Sequence, residues 1–130
     1  MSTIYLAGPM RGYDKYNFPA FAEATALLRE QGHTVVSPAE MDQDDEMIFD
    51  DDHVFTKEEL WSVIHRDLKV IADFDQIAFL PGWAASSGAR LEFALGCYLS
   101  LTFRRSDGIP VSRGDLEEEL AENLAAQWNK

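Results

Sequence analysis

The apolar positions of this chain fall into two periods. Short runs rich in strand formers occur at Thr3–Ala7, His33–Val36 and Gln76–Leu80, each closed by Gly, Pro or Ser. Between them the spacing is helical. Phe18, Phe21, Ala24 and Leu28 mark one helix, with Pro19 near its start and Gly32 just past its end. Leu60, Ile64, Leu68 and Ile71 mark a second, opened by Thr56 with Glu59 at the capping-box position. Leu91 to Leu99 is apolar nearly all round, which predicts a helix covered on most sides. After it the signal weakens. Leu101-Thr102-Phe103 is a candidate strand, and Ser106-Asp107-Gly108-Ile109-Pro110 is a turn cluster. Leu116, Leu120, Leu124 and Trp128 predict a final amphipathic helix with Asp115 as its cap.

Strand, helix and strand joined by short connections form a βαβ unit, which requires parallel pairing and a right-handed crossover. The chain is therefore expected to be α/β, with Thr3–Ala7 as a central strand. Its 130 residues suit a single domain with a real core, spanning 1–130. The segment at about 40–56 breaks the pattern. It carries Glu40, Asp42, Asp44, Asp45, Glu46, Asp50, Asp51 and Asp52 around an apolar centre, Met47-Ile48-Phe49. It reads as a solvated excursion folding over the strand ends like a lid. A metal loop is disfavoured, because the carboxylates lack the spacing and fixed glycine of an EF-hand.

Charge narrows the partners. A formal net charge of −12 argues against a nucleic-acid polymer, whose phosphates need a basic surface. It leaves open a small anionic ligand held by a few local donors. No stretch is long and apolar enough to span a bilayer, and the N-terminus lacks the basic start of a signal peptide. The single Cys97 excludes an internal disulfide and fits a reducing, cytoplasmic setting, where it is expected to pack rather than react.

The candidate chemistry lies at strand ends. Ser86-Ser87-Gly88 follows the Gln76–Leu80 strand and opens the apolar helix, where backbone N–H groups and a helix N-terminus can receive an anion. Glu92 is that helix's only carboxylate. It sits too late for a capping box, leaving either an ion pair, with Arg90 as the nearest cation, or a chemical role in a dry site. Asp67 falls near the middle of the Leu60–Ile71 stripe. A pair with Arg66 is not expected, since adjacent helical residues do not face each other. His53 and His65 read as surface or lid residues, and Asp73 and Asp75 as turn residues. Gly8-Pro9-Met10-Arg11-Gly12 follows the first strand as a Gly-bounded loop carrying one guanidinium, suited to a phosphate or carboxylate. It is not a GxGxxG fingerprint, so a dinucleotide site is not supported.

Tyr5-Leu6-Ala7-Gly8-Pro9, Arg66-Asp67-Leu68 and Ser86-x-Gly88-x-x-x-Glu92 with Ala94 together resemble the nucleoside 2-deoxyribosyltransferase superfamily. Gly8-x-x-Arg11-Gly12 is similar to its nucleotide-accepting branch, the 2'-deoxynucleoside 5'-monophosphate N-glycosidases. The chain also looks like small phage and bacterial proteins grouped there. The resemblance spans roughly Ile4 to Leu99. It implies a flavodoxin-like or Rossmann-like three-layer sandwich with a parallel sheet, and a homodimer or larger homo-oligomer. It further implies that Glu92 is the nucleophile, that Asp67 assists the leaving base, and that Tyr5 orients the carboxylate or sugar. Gly8, Met10, Arg11, Gly12, Ser86 and Gly88 would contact substrate around a 5'-phosphate. No metal or other cofactor is implied. Arg90 departs from the pattern, standing where related proteins often carry a small residue. Two other readings differ in class: a catalytically idle nucleotide-binding module in which Glu92 only pairs with Arg90, and an NAD or ADP-ribose glycohydrolase.

Overall fold

A computed structural model describes residues 2–44 and 53–128. Five strands form one sheet: β1 (Thr3–Ala7), β2 (Thr34–Val36), β3 (Gln76–Phe79), β4 (Thr102–Arg105) and β5 (Pro110–Val111), in the spatial order β2-β1-β3-β4-β5. The first four run parallel, and β5 pairs antiparallel with β4 at the edge. The helices are α1 (Phe18–Glu30), α2 (Pro38–Asp44), α3 (Lys57–Ala72), α4 (Ser87–Tyr98) and α5 (Arg113–Trp128). None of the described helices is long and apolar enough to cross a membrane.

Side chains alternate across the sheet and meet helices on both faces. Tyr5 and Ala7 join Ile77, Phe79, Phe93 and Phe103 in one core, which also takes in Ile71 of α3 and Leu116 of α5. Ile4 and Leu6 join Phe21, Leu28 and Val35 in the other, beside Ala39 of α2. Burial on both faces explains why these strands read as continuous apolar runs rather than alternating ones. The result is a three-layer, flavodoxin-like α/β sandwich. The chain leaves β1 for β2 on one side and returns to β3 on the other. Strand order thus reverses between β1 and β3, and a crevice opens beyond their carboxyl ends.

The structure departs from expectation in four places. The start of the acidic segment, Pro38–Asp44, is helical, and residues 45–52 of the expected lid lie outside the described residues. The cap of α5 is Ser112, whose Oγ accepts from the Asp115 N–H at 3.1 Å, so Asp115 sits inside the first turn. β5 lay hidden in the turn cluster; it is two residues long, and Pro110 confines it to an edge because it has no N–H to give. Finally, α4 is not covered on most sides. Leu91, Tyr98 and Leu99 are 47%, 85% and 39% exposed, while Glu92 and Phe93 turn inward. Cys97 is half-buried, and burial pushes its thiol pKa up, as for a packing residue.

α4 rests directly on the sheet at Gly96. A Cβ there would lie 2.9 Å from both Ile77 Cδ1 and Phe103 Cε1. Gly96→Ala should therefore cost about 1–3 kcal/mol of overpacking, read as a lower urea midpoint with an unchanged m-value. A midpoint equal to wild type would contradict this close approach.

Candidate active site at the β1–β3 crevice

The loops leaving β1 and β3 are held together at their base. Leu80 N–H donates to the Ala7 carbonyl at 2.9 Å, extending the β1–β3 pairing by one step. Gly8 then passes so close to Leu80 that a Cβ would fall 2.7 Å from that residue's Cβ, so no larger residue fits without a shift. Beyond this point the Gly8–Arg11 loop, α3 and the start of α4 enclose a cavity of about 740 Å³.

Glu92 and Asp67 both line this cavity, and both are buried, at 5% and 4% exposure. The Tyr5 hydroxyl, fully buried on β1, donates to Glu92 Oε2 at 2.5 Å. Burial and the neighbouring Glu92 charge push the Tyr5 pKa up, so the phenol stays protonated and acts as a donor. Burial, reinforced by the Asp67 charge, pushes the Glu92 carboxyl well above the usual carboxylate range; the Tyr5 hydrogen bond works against that. Asp67 is likewise raised by burial, to about 6, with Arg66 opposing the rise.

Arg66 corrects an expectation. Its Nε lies 2.9 Å from Asp67 Oδ1 and its Nη2 2.8 Å away, so adjacent helical residues do pair here. The Cβ vectors diverge, but the long arginine stem folds back across the gap. The same Nη2 reaches Asp42 Oδ1 on α2 at 2.7 Å. Glu92, by contrast, has no ion pair with Arg90 among the described residues. Arg90 instead lines a separate groove between α4 and α5, away from the cavity.

The cavity also carries donors. Ser86 caps α4: its Oγ accepts from the Ala89 N–H at 3.3 Å, and its own N–H is taken by the Trp83 carbonyl at 3.0 Å. Among the described residues the open donors are therefore the N–H groups of Ser87 and Gly88, not that of Ser86. Arg11 Nη2 lies 3.3 Å from Ser87 Oγ, and its guanidinium stands 5.8 Å over the Phe55 ring. Phe55 meets Tyr16 edge-on at 6.3 Å. Tyr16 belongs to an uncommon turn in which Lys15, Tyr16 and Asn17 have φ of 53°, 53° and 61°. Such conformations are strained for non-glycine residues. The turn is anchored by Asn17 Nδ2, which donates to the Pro9 carbonyl at 2.9 Å.

Of the residues singled out from sequence, Tyr5, Gly8, Met10, Arg11, Asp67, Ser86, Gly88 and Glu92 all line this one cavity. Gly12 does not; it is exposed, at a φ of +84°, and shapes the loop from outside. His53 is half-buried rather than a plain surface residue, with Nε2 3.1 Å from Glu59 Oε2. His65 is exposed beside Trp61. Asp42, Tyr16, Phe55 and the Arg66 pairing were not legible beforehand. No period or motif marks them, because they reach the crevice from three different segments.

No curated protein matches the chain significantly. Among solved structures it is similar to a 2-deoxyribosyltransferase from the psychrotolerant bacterium Bacillus psychrosaccharolyticus, at 23% identity over 78% of this chain and 69% of that one, with a TM-score of 0.55. It is also similar to a conserved protein from Enterococcus faecalis V583, at 16% identity over 79% of this chain and 61% of that one, again with a TM-score of 0.55. The chain thus spans less than two thirds of the second protein. At these identities the likeness is one of fold: the sheet and its flanking helices are arranged as in that 2-deoxyribosyltransferase. The DUF4406 profile, described as a domain of unknown function, matches residues 2–104, from the start of β1 into β4, and the chain belongs to that family.

Proposed function

We propose that the protein cleaves or transfers the N-glycosidic bond of a (deoxy)nucleoside 5'-monophosphate or nucleoside, with Glu92 as the nucleophile. One observation carries this reading: a buried carboxylate, aimed by a buried phenol, on the wall of a cavity at the β1–β3 switch point. A carboxylate in such a place is costly unless it is used or neutralised. Its hydrogen-bond partner here is a neutral hydroxyl, and it forms no ion pair among the described residues, although the Arg66 charge eases its ionisation. That weighs against an idle binding module built on a Glu92–Arg90 pair.

The chemistry follows from charge development. As the C1'–N bond lengthens, positive charge grows on the sugar and the electron pair leaves with the base. The Glu92 carboxylate captures C1' as an ester, and Asp67 delivers its proton to the departing base. Ionised Asp67 then takes a proton from water, whose oxygen attacks C1' and frees Glu92. A second base in place of water completes a transfer instead. Tyr5 supports the carboxylate before attack and keeps the attacking oxygen in line.

The start of α4, one turn before Glu92, favours an anionic handle. Arg11, with the N–H groups of Ser87 and Gly88, offers convergent donors at a helix N-terminus. A 5'-phosphate suits that end, and the aromatic wall of Phe55 and Tyr16 suits a base or sugar face.

Incubation with a panel of nucleoside and deoxynucleoside monophosphates should release free base, seen by chromatography. Glu92→Gln should lower that rate by about 10³-fold or more. Release that survives the substitution removes Glu92 from the mechanism. Arg11→Met should cut the preference for a monophosphate over its nucleoside by about 10–100-fold, from loss of a charged hydrogen-bonding partner. An unchanged ratio places the phosphate elsewhere.

Glu92→Gln also has a signature in stability. A carboxyl whose folded pKa is raised destabilises the fold only where the unfolded chain would be ionised. The penalty is absent below about pH 4 and grows as pH rises through and above that value. Gln keeps an acceptor for Tyr5 and carries no charge. The variant's Tm should therefore match wild type near pH 4 and exceed it increasingly toward pH 8. A variant less stable at pH 8 than at pH 4, relative to wild type, contradicts the raised pKa.

A further inference from the structure

An arginine beside a general acid is a puzzle. A guanidinium within 3 Å of a carboxyl favours the ionised form and so works against proton delivery. Yet Arg66 touches Asp67 through two nitrogens. The geometry of the third partner resolves this. Asp42 projects from α2, and its Oδ1 takes the same Nη2 that reaches Asp67. One cation therefore serves both carboxylates; both line the cavity, and Asp67 is the one whose charge acts on Tyr5 and Glu92. Both members of the Arg66–Asp42 contact are largely buried, at 19% and 14% side-chain exposure, so solvent screening is weak.

We infer that Arg66 and Asp42 are a positioning pair for Asp67: Arg66 fixes the carboxyl's orientation, and Asp42 draws off part of the guanidinium's charge so that Asp67 keeps a proton to deliver. The inference rests on the N-glycosidic reading above and assigns it two residues that do not themselves touch the reacting atoms. Arg66 supplies what a buried acid on a helix lacks, a fixed rotamer. Asp42 offsets the electrostatic side effect of that support. Among the described residues, the charged and titratable groups facing Asp67 are Arg66 on its own helix, Asp42 on α2, Tyr5 on β1 and Glu92 on α4. Of these, Asp42 and Glu92 favour the protonated acid. Arg66 opposes it, and so does the Tyr5 hydroxyl. Removing either member of the pair therefore shifts Asp67 in opposite directions. A merely structural role for the two residues does not generate that opposition.

The test compares wild type, Asp42→Asn and Arg66→Gln in two ways: the pH profile of kcat/KM for base release, and the ¹³C titration of the Asp67 carboxyl by NMR. Asp42→Asn removes one negative charge that competes with Asp67 for Arg66 and should move the alkaline limb, and the NMR midpoint, down by about 0.5–1 pH unit. Arg66→Gln should move both up by a similar amount, while lowering kcat at the optimum because the acid is no longer held in place. Asp42→Ser, smaller and uncharged, should reproduce the Asp42→Asn shift if Asn packs poorly. Shifts in the same direction, or none, overturn the inference. If wild type releases no base, the N-glycosidic reading fails, and the NMR midpoints alone still decide whether Arg66 and Asp42 set the proton on Asp67.

Discussion

The site depends on a single contact between β1 and α4, the hydrogen bond from the Tyr5 hydroxyl to the Glu92 carboxylate. It spans 87 residues of sequence and lies where neither group meets bulk water. Everything around it serves to bring those two side chains together. Parallel pairing sets β1 beside β3, the close approach of Gly8 to Leu80 seats the first loop, and Gly96 lets α4 sink onto the sheet. The hydrogen bond recovers part of the cost of burying a carboxylate, but not all of it, which is why the Glu92 pKa stays high. Glu92 thus carries an energetic cost to the fold while it lines the cavity at the β1–β3 crevice.

The polarity of the cavity has a simple origin. The parallel sheet aims its carboxyl ends, with their connecting loops, at one side of the molecule, and the switch point separates two of those loops. The loop after β1 contributes a guanidinium, the loop after β3 contributes a helix N-terminus, and α3 brings a second acid from across the crevice. The N–H groups at the start of α4, the Arg11 guanidinium and the carboxylates of Glu92 and Asp67 therefore line the same hollow. The strained turn at Lys15–Asn17 belongs to this picture, since it sets the Tyr16 ring into the wall and is held there by Asn17 and by the neighbouring Phe18 and Phe55 rings.

Much of this was legible in the sequence. The strands and the apolar faces of α1 and α3 follow from periodicity, because burial on one face of a helix or both faces of a sheet leaves a repeating mark. Glu92 and Asp67 stood out for the converse reason: each is a carboxylate where the period demands an apolar residue. Contacts that depend on side-chain reach left no such mark. The Arg66–Asp67 pair defies the rule for adjacent helical positions because a long stem can fold back, and Asp42 joins it from a segment that reads as a solvated, lid-like excursion with no assigned pairing. The uncovered face of α4 was misread for a related reason, since a run of apolar residues does not say whether the chain supplies anything to cover it. β5 and the Ser112 cap are too short to carry a period at all.

The claim that matters most is that the Glu92 oxygen bonds to C1' of a sugar. A deoxynucleotide fluorinated at C2' slows breakdown of a glycosyl ester more than its formation, so the intermediate should accumulate. After incubation with such a compound, proteolysis and mass spectrometry should find the added sugar phosphate on the peptide that contains Glu92, and on that residue within it. An unmodified Glu92 peptide from protein that still releases base, or an adduct on another residue, would contradict the account.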